Sequence, residues 1–223
     1  MPDELAVQVT TALREVEEEL GRELGASEDP LLVSVRSGAK FSMPGMMETV
    51  LNIGLNDASV EGLAAASDDE RFAWDSYRRL IQMFGKTVLD IDGGHFSAAL
   101  DAKKAERGVT LDYELDVSAL RQLVEQYKAI VRERAGIDFP QDPRAQLDMA
   151  TEAVFRSWNT ERAHIYRRRE KILHDLGTAV NVCTMVFGNM GQTSGTGVCF
   201  TRDPSTGQSG VYGDQLPDRK SVV

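Results

Sequence analysis

Apolar residues recur every three or four positions at Leu5, Val9, Leu13, Val16 and Leu20. That spacing predicts an amphipathic helix over residues 3–24 with one apolar stripe. Asp3 suits its N-cap, and Gly25 suits its stop. Asp29-Pro30 then interrupts the chain, and Leu31-Leu32-Val33-Ser34-Val35 reads as a short buried strand. Residues 37–57 keep no period. Gly38, Pro44, Gly45 and Gly54, with Met43, Met46 and Met47 among them, predict an apolar loop. Helical spacing returns in Phe72, Tyr77, Leu80, Ile81, Phe84 and Val88. It returns again in Leu120, Leu123, Val124, Tyr127, Ile130 and Val131, for a helix over about residues 118–135. Pro140 and Pro143 break the chain, and Pro143 suits the first turn of a third helix bearing Leu147, Ala150, Val154 and Trp158 on one face. After Gly177 the pattern alternates. Residues 178–187 (TAVNVCTMVF) and 195–201 (GTGVCFT) predict strands, and seven glycines fall within the 26 residues from Gly188 to Gly213. The order of elements predicts an α+β fold with a helical insertion.

Composition narrows the class. The 223 residues carry 25 basic and 35 acidic side chains, a net charge of −10. Phosphate backbones and anionic bilayers attract clustered positive charge, so the expectation is no nucleic-acid partner and no membrane partner. Hydrophobic residues at 42% and charged residues at 27% are globular proportions, and the length allows one large domain or two small ones. Cys183 and Cys199 form no metal-binding spacing and are expected as small buried residues in a reducing compartment. No basic stretch precedes an apolar run at the N-terminus, so a cytoplasmic protein is expected.

Three segments could carry chemistry. Arg36 follows the first strand and precedes a Ser-Gly turn, where its fork could grip a phosphate or carboxylate. On spacing alone, a surface arginine closing a salt bridge is the commoner outcome. The loop Gly188-Asn189-Met190-Gly191-Gln192-Thr193-Ser194-Gly195-Thr196-Gly197 could aim backbone amides at phosphate oxygens, or be an ordinary hairpin loop. It fits neither GxxxxGK[ST] nor GxGxxG. The run from Arg156 to Lys171 holds six basic residues against Glu161 and Glu170, and could neutralise a triphosphate or form a solvated helix face. His95, His164 and His174 have no partner spacing, no metal site is expected, and the methionines read as packing.

Four blocks together resemble one family. They are DPLLVSVRSGAKFSMPGMMETVLNIGLND (29–57), FAWDSYRRLIQMFG (72–85), VFRSWNTERAHIYRR (154–168) and GTAVNVCTMVFGNMGQTSGTGVCFTRDPSTG (177–207). In this order they closely resemble the nucleotide-binding domain of the pyruvate, phosphate dikinase family, from about Leu20 to Gly213. The resemblance implies part of an ATP-grasp fold, with ATP between two α+β lobes and a helical subdomain inserted. Residues 1–57 and 142–213 would form the ATP-grasp portion, 58–141 the insertion, and 214–223 an unrelated, loosely placed tail. Arg36 and Arg79 match family arginines on the phosphate side. Thr193, Ser194, Gly195, Thr196 and Gly197 resemble the lid over the triphosphate, and Met185 and Val186 fall in the segment lining the adenine pocket.

In the family this domain passes the β-phosphoryl group of ATP to a histidine on a swivelling domain, and a barrel domain then phosphorylates pyruvate. The resemblance also places an ATP-gripping lysine before the matched stretch, and Mg²⁺-binding acids after it. The implied function is therefore ATP binding with little turnover from these residues alone. The alternatives are a non-catalytic interaction module that self-associates, or one half of a split enzyme completed by another chain.

Overall fold

The computed structural model describes residues 3–191 and 193–217. α1 (Asp3–Leu20) follows the predicted stripe but ends early, closed by Gly21 at φ 63°. Gly25 answers a different constraint. It sits at φ 71°, and a Cβ there would fall 2.2 Å from Cγ of Pro143 and 2.9 Å from the carbonyl oxygen of Gly54. Only glycine lets the chain turn and pass between those neighbours.

β1 (Val33–Ser37) is the predicted buried strand, shifted by two residues. β2 (Thr49–Ile53) lies where the sequence pattern indicates only a loop. Its five residues are hidden among Gly, Pro and Met, and its register with β1 supplies the stability its length cannot. Val35 faces Val50, Arg36 faces Thr49, and a bulge separates Val33 from Val35. β3 (Val180–Thr184) pairs antiparallel on the other side of β1, giving the order β2-β1-β3. Alternation gives this sheet two unlike faces. Val33, Val182 and Thr184 turn toward Val9, Leu13 and Val16 of α1, around an apolar groove of about 280 Å³. Ser34, Arg36, Thr49, Asn181 and Cys183 occupy the opposite face.

Between β2 and β3 run α2 (Ser59–Ser67), α3 (Glu70–Thr87), α4 (Gly93–Arg107), α5 (Val117–Ala135), α6 (Pro143–Ser157) and α7 (Glu161–Arg169). The side chains of Asp69, Asp92, Asp116 and Asp142 accept from backbone amides at the starts of α3, α4, α5 and α6. Part of the acidic excess therefore caps helices, where carboxylates meet the unpaired amides. α3 packs on α2, α5 and β2. Phe72, Tyr77, Leu80, Ile81 and Phe84 on α3 join Leu120, Leu123, Val124 and Tyr127 on α5 in a core that continues to Val35 and Val50 of the sheet.

Gln146 ties α6 to this core. It is fully buried. Its carbonyl accepts from the Gly54 amide at 3.0 Å, and its amide donates to the carbonyls of Leu55 at 2.9 Å and Pro140 at 2.8 Å.

Arg167 on α7 is also fully buried, without a carboxylate partner among the described residues. It donates to the Trp158 carbonyl at 2.6 Å, to Nδ1 of His174 at 3.1 Å and to Nδ1 of His164 at 3.3 Å, and its guanidinium lies 4.0 Å over the Trp158 ring. A guanidinium can only donate, so each Nδ1 serves as the acceptor of its bond. Desolvation, then the Arg167 charge, holds His174 below the usual imidazole range. Two of the three histidines that showed no partner spacing, His164 and His174, therefore form one cluster, closed through an arginine.

β4 (Gly195–Arg202) and β5 (Ser209–Pro217) make a separate hairpin. Its turn is fixed by Asp203, whose carboxylate accepts from the amides of Ser205 at 2.7 Å and Thr206 at 3.0 Å. Two expectations change here. The sequence analysis makes 214–223 a loosely placed tail, whereas β5 continues to Pro217, because Asp214, Gln215, Leu216 and Pro217 stay in register with Val198, Gly197, Thr196 and Gly195. Pro217 closes the strand, where a missing ladder donor costs least. Residues 218–223 of the expected tail lie outside the described residues. Both cysteines are exposed rather than buried. Cys183 stands on the open face of β3 and Cys199 on the hairpin, where no second layer covers them.

Replacing Gln146 with leucine would leave the Gly54 amide and the Leu55 carbonyl buried without their partner. Unpaired groups of this kind cost about 1–3 kcal/mol each. Gln146→Leu is expected to lower unfolding free energy by about 2–4 kcal/mol in urea titration, despite its greater hydrophobicity; a change below about 0.5 kcal/mol would show that other groups take over these bonds.

Candidate functional site

α3 packs against β2 at the edge of the sheet, and an open pocket of about 730 Å³ lies along it. One end is apolar, with Met185, Val186 and Phe187 after β3 and Leu51 on β2. Phe187 packs edge-on against Phe72 in the first turn of α3, ring centroids 5.0 Å apart. The other end is polar. Arg79, Gln82 and Lys86 project from later turns of α3, facing Glu48 and Thr49 at the start of β2. The spacing of Arg79 and Lys86, two turns apart, puts both on the face that α3 does not use for the core.

Asp75 organises this wall. Its Oδ1 accepts from Arg78 at 2.9 Å and 2.6 Å, and its Oδ2 accepts from Nε of Arg79 at 2.8 Å. Arg78 is 2% exposed and also reaches Gln82 at 3.0 Å. Burial acts to raise the Asp75 carboxyl, but the charges of Arg78 and Arg79 outweigh it and hold Asp75 below its usual range. Burial likewise acts to lower Arg78, and Asp75 more than restores it. Arg78 is therefore a structural cation, while Arg79 keeps a partly exposed guanidinium at the pocket.

The sequence-derived candidates divide accordingly. Arg79, Met185, Val186 and Thr196 line the pocket. Thr193, Ser194, Gly195 and Gly197 lie on the adjoining loop and strand and do not line it. Arg36 is exposed beside the pocket, opposite Thr49, with its Nε donating to Ser34 Oγ at 3.2 Å and no ion pair among the described residues. The glycine-rich loop is not a hairpin loop, because β3 and β4 belong to different sheets. Its Gly188 is packed so closely that a Cβ would lie 1.9 Å from Oγ1 of Thr196. Of the basic run, Arg162 pairs with Glu48, Arg156 donates to the Val88 carbonyl at 3.1 Å, and Arg167 is buried. These three serve structure and do not form a phosphate clamp.

The sequence reading missed Lys86, Gln82 and Asn52. Lys86 could have been found from its seven-residue spacing from Arg79 once α3 was placed.

Among the described residues, no three His, Cys, Asp or Glu side chains gather as a metal-holding set. The pocket acids have cationic partners: Asp75 holds both arginines, Glu48 meets Arg162, and Asp112 meets Lys104 at 3.2 Å. These residues do not fit a Mg²⁺ site by themselves. No helix among the described residues is long and apolar enough to cross a membrane.

Residues 1–215 match the family described as pyruvate phosphate dikinase, AMP/ATP-binding domain, and the chain belongs to that family. It is 54% identical over 214 residues to pyruvate, phosphate dikinase of Clostridium symbiosum, covering 96% of this chain and 24% of that protein. It is 52% identical over 217 residues to the enzyme of Giardia intestinalis, covering 96% and 24%, and 52% identical over 216 residues to the chloroplastic enzyme of Flaveria pringlei, covering 97% and 22%. The chain thus spans about a quarter of the length of these relatives.

Asp75→Asn leaves Arg78 buried without a full counter-charge, which typically costs about 3–5 kcal/mol. The same arithmetic sets a pH dependence. A carboxyl depressed in the folded state contributes stability above its unfolded value of about 3.9, and that contribution is lost as pH falls through the folded value. Urea titrations should therefore show parent and variant far apart at pH 7 and converging below about pH 4; a gap that stays constant with pH would mean that the Asp75 charge is not what stabilises the wall.

Proposed function

We propose that the pocket binds ATP, with the base at the Met185–Phe187 end and the phosphates at the Arg79–Lys86 end. The observation that carries this is the polarity of one continuous pocket, apolar at one end of α3 and cationic about two to four turns later. Family membership in an AMP/ATP-binding domain supports it. We extend the proposal to an ATP-grasp arrangement, in which α2–α5 form the helical insertion and the loop ahead of β4 closes over the phosphates. It is supported by the position of those helices between β2 and α6, and by Thr196 at the pocket wall.

The residues divide the work of phosphoryl transfer by positioning and charge. Arg79, oriented by Asp75, and Lys86 neutralise phosphate oxygens. Arg36 approaches from the sheet, and amides of Thr193 to Gly197 complete the cover. Among the described residues no histidine lines the pocket, so a phosphoryl acceptor would come from elsewhere. Passage of the β-phosphoryl group to such a histidine, and on to pyruvate in a larger dikinase, completes the reading. A cytoplasmic setting goes with it, supported by the acidic composition and two unpaired thiols.

Calorimetry with ATP and Mg²⁺ tests the site. The parent should bind, and Arg79→Ala should weaken binding at least tenfold, about 1.4 kcal/mol. Arg36→Ala binding as tightly as the parent would remove Arg36 from the site, and no ATP binding by the parent would remove the site itself.

A second reading, an interaction module, is favoured by the hairpin. Val211 is 85% exposed, Val198 61%, Leu216 57% and Phe200 49%. By register Val198, Phe200 and Leu216 share one face of the hairpin while Val211 lies on the other, and exposed apolar side chains of this kind invite self-association or a complementing chain. Light scattering across a hundredfold concentration range should then show mass rising above that of one chain, and Phe200→Ser with Val198→Ser should suppress the rise. A concentration-independent monomer would end this reading.

A further inference from the structure

Asn52 sits at the pocket in an unusual state. Its backbone is left-handed, φ 62°, in a region asparagine tolerates and most residues avoid. The residue is 7% exposed, and it lines the pocket together with Ser76. Its Nδ2 donates to the Ser76 carbonyl at 3.1 Å. A carbonyl can only accept, so this bond fixes the amide orientation and leaves Oδ1 as the group without a role. Oδ1 is buried with no donor among the described residues. Folded proteins rarely keep such an oxygen unpaired, and one beside a ligand-sized pocket is placed to meet a ligand donor.

The surroundings restrict that donor. Leu51, Met185 and Phe187 supply apolar walls suited to a flat ring. The cationic end begins one turn beyond Ser76, at Arg79, and runs on along α3. Lys86 is ten residues beyond Ser76 on α3, about 15 Å at the helical rise. The matching ligand has a planar ring with an edge N–H donor at one end and an anion at the other. Adenine offers an exocyclic amino group there, whereas a 6-oxopurine would set its own carbonyl oxygen against Oδ1.

We propose that the Asn52 side-chain carbonyl accepts a hydrogen bond from the exocyclic amino group of the bound base, and so selects adenine nucleotides over 6-oxopurine nucleotides. This rests on the nucleotide reading of the pocket. A site built around such a bond rejects an analogue that lacks the donor, because its own buried group is then left unpaired.

The test removes the donor from the ligand before it removes the acceptor from the protein. Calorimetry on the parent should show purine riboside triphosphate, which carries hydrogen in place of the amino group, binding at least about tenfold more weakly than ATP. Inosine triphosphate should be weaker still, and 2′-deoxyATP equal to ATP. In Asn52→Gly, which keeps the left-handed backbone, the difference between ATP and purine riboside triphosphate should shrink to about threefold or less. Each ratio is taken within one protein, and the parent measurements do not depend on how the variant folds. A parent that binds ATP and purine riboside triphosphate equally overturns the proposal while leaving the pocket a nucleotide site. So does an undiminished ratio in Asn52→Gly, or a 2′-deoxy penalty that disappears in it, which would make a ribose hydroxyl the donor. A parent that binds none of these nucleotides overturns the nucleotide reading and this one together.

Discussion

The carboxylate of Asp75, buried on α3 between Arg78 and Arg79, decides how the site is built. A buried carboxylate is costly unless cations and hydrogen bonds replace water. Here two guanidiniums do so, and each is constrained in return. Arg78 is drawn into the interior, where it bridges to Gln82. Arg79 is held by Nε alone, which leaves the rest of its fork free toward the pocket. Lysines could not reproduce this, since the arrangement uses one planar fork with both ends. One helix thereby presents an apolar face to the core and an oriented cation to the cavity, within seven residues from Phe72 to Arg79.

The sheet makes the same separation by a different rule. Period-two alternation sends Val33, Val35 and Val50 toward the core and the α1 side, and Ser34, Arg36 and Thr49 toward the pocket side. The extra residue in β2, where Leu51 and Asn52 together lie opposite Ser34, and the left-handed backbone of Asn52 break that alternation at one point. That break lets Asn52 hydrogen-bond to α3 while remaining at the pocket wall. Beyond β3 the chain must leave this sheet and start another, and Gly188 is where it passes tightly against Thr196.

How much was legible follows from the range of each interaction. α1, α3, α5 and α6 are local, periodic and capped, and their residues announce them. β2 was hidden because it is five residues long and held by register with a strand about sixteen residues earlier. The exposed cysteines were misjudged because burial was assigned from residue type, while coverage depends on which faces receive a second layer. Within the site, Arg79, Met185, Val186 and Thr196 were identified through the family resemblance, since their spacing carries no signal. Lys86 was within reach of helical periodicity. Asn52 was not, because an unpaired oxygen exists only once its neighbours are in place. The Arg167–His164–His174 cluster is a similar case, with its two imidazoles ten residues apart and joined only through the arginine.

A chain of net charge −10 makes an improbable receptor for a triphosphate if charge is averaged, so the local balance is what matters. Screening limits exposed charges to about 8 Å at physiological salt, and most of the acidic excess lies on helix faces and caps away from the pocket. The wall itself holds Arg78, Arg79 and Lys86 against Glu48, Asp75 and Asp112. Those acids are matched from elsewhere: Arg162 reaches Glu48, and Lys104 reaches Asp112. With Asp75 and Arg78 cancelling, Arg79 and Lys86 remain for a ligand. On the proposed reading, Arg79, oriented by Asp75, and the neighbouring Lys86 would select a phosphate chain by geometry more than by strong, unspecific attraction. The acidic surface works in the same direction, since it repels polyanions such as nucleic acids that cannot enter the pocket.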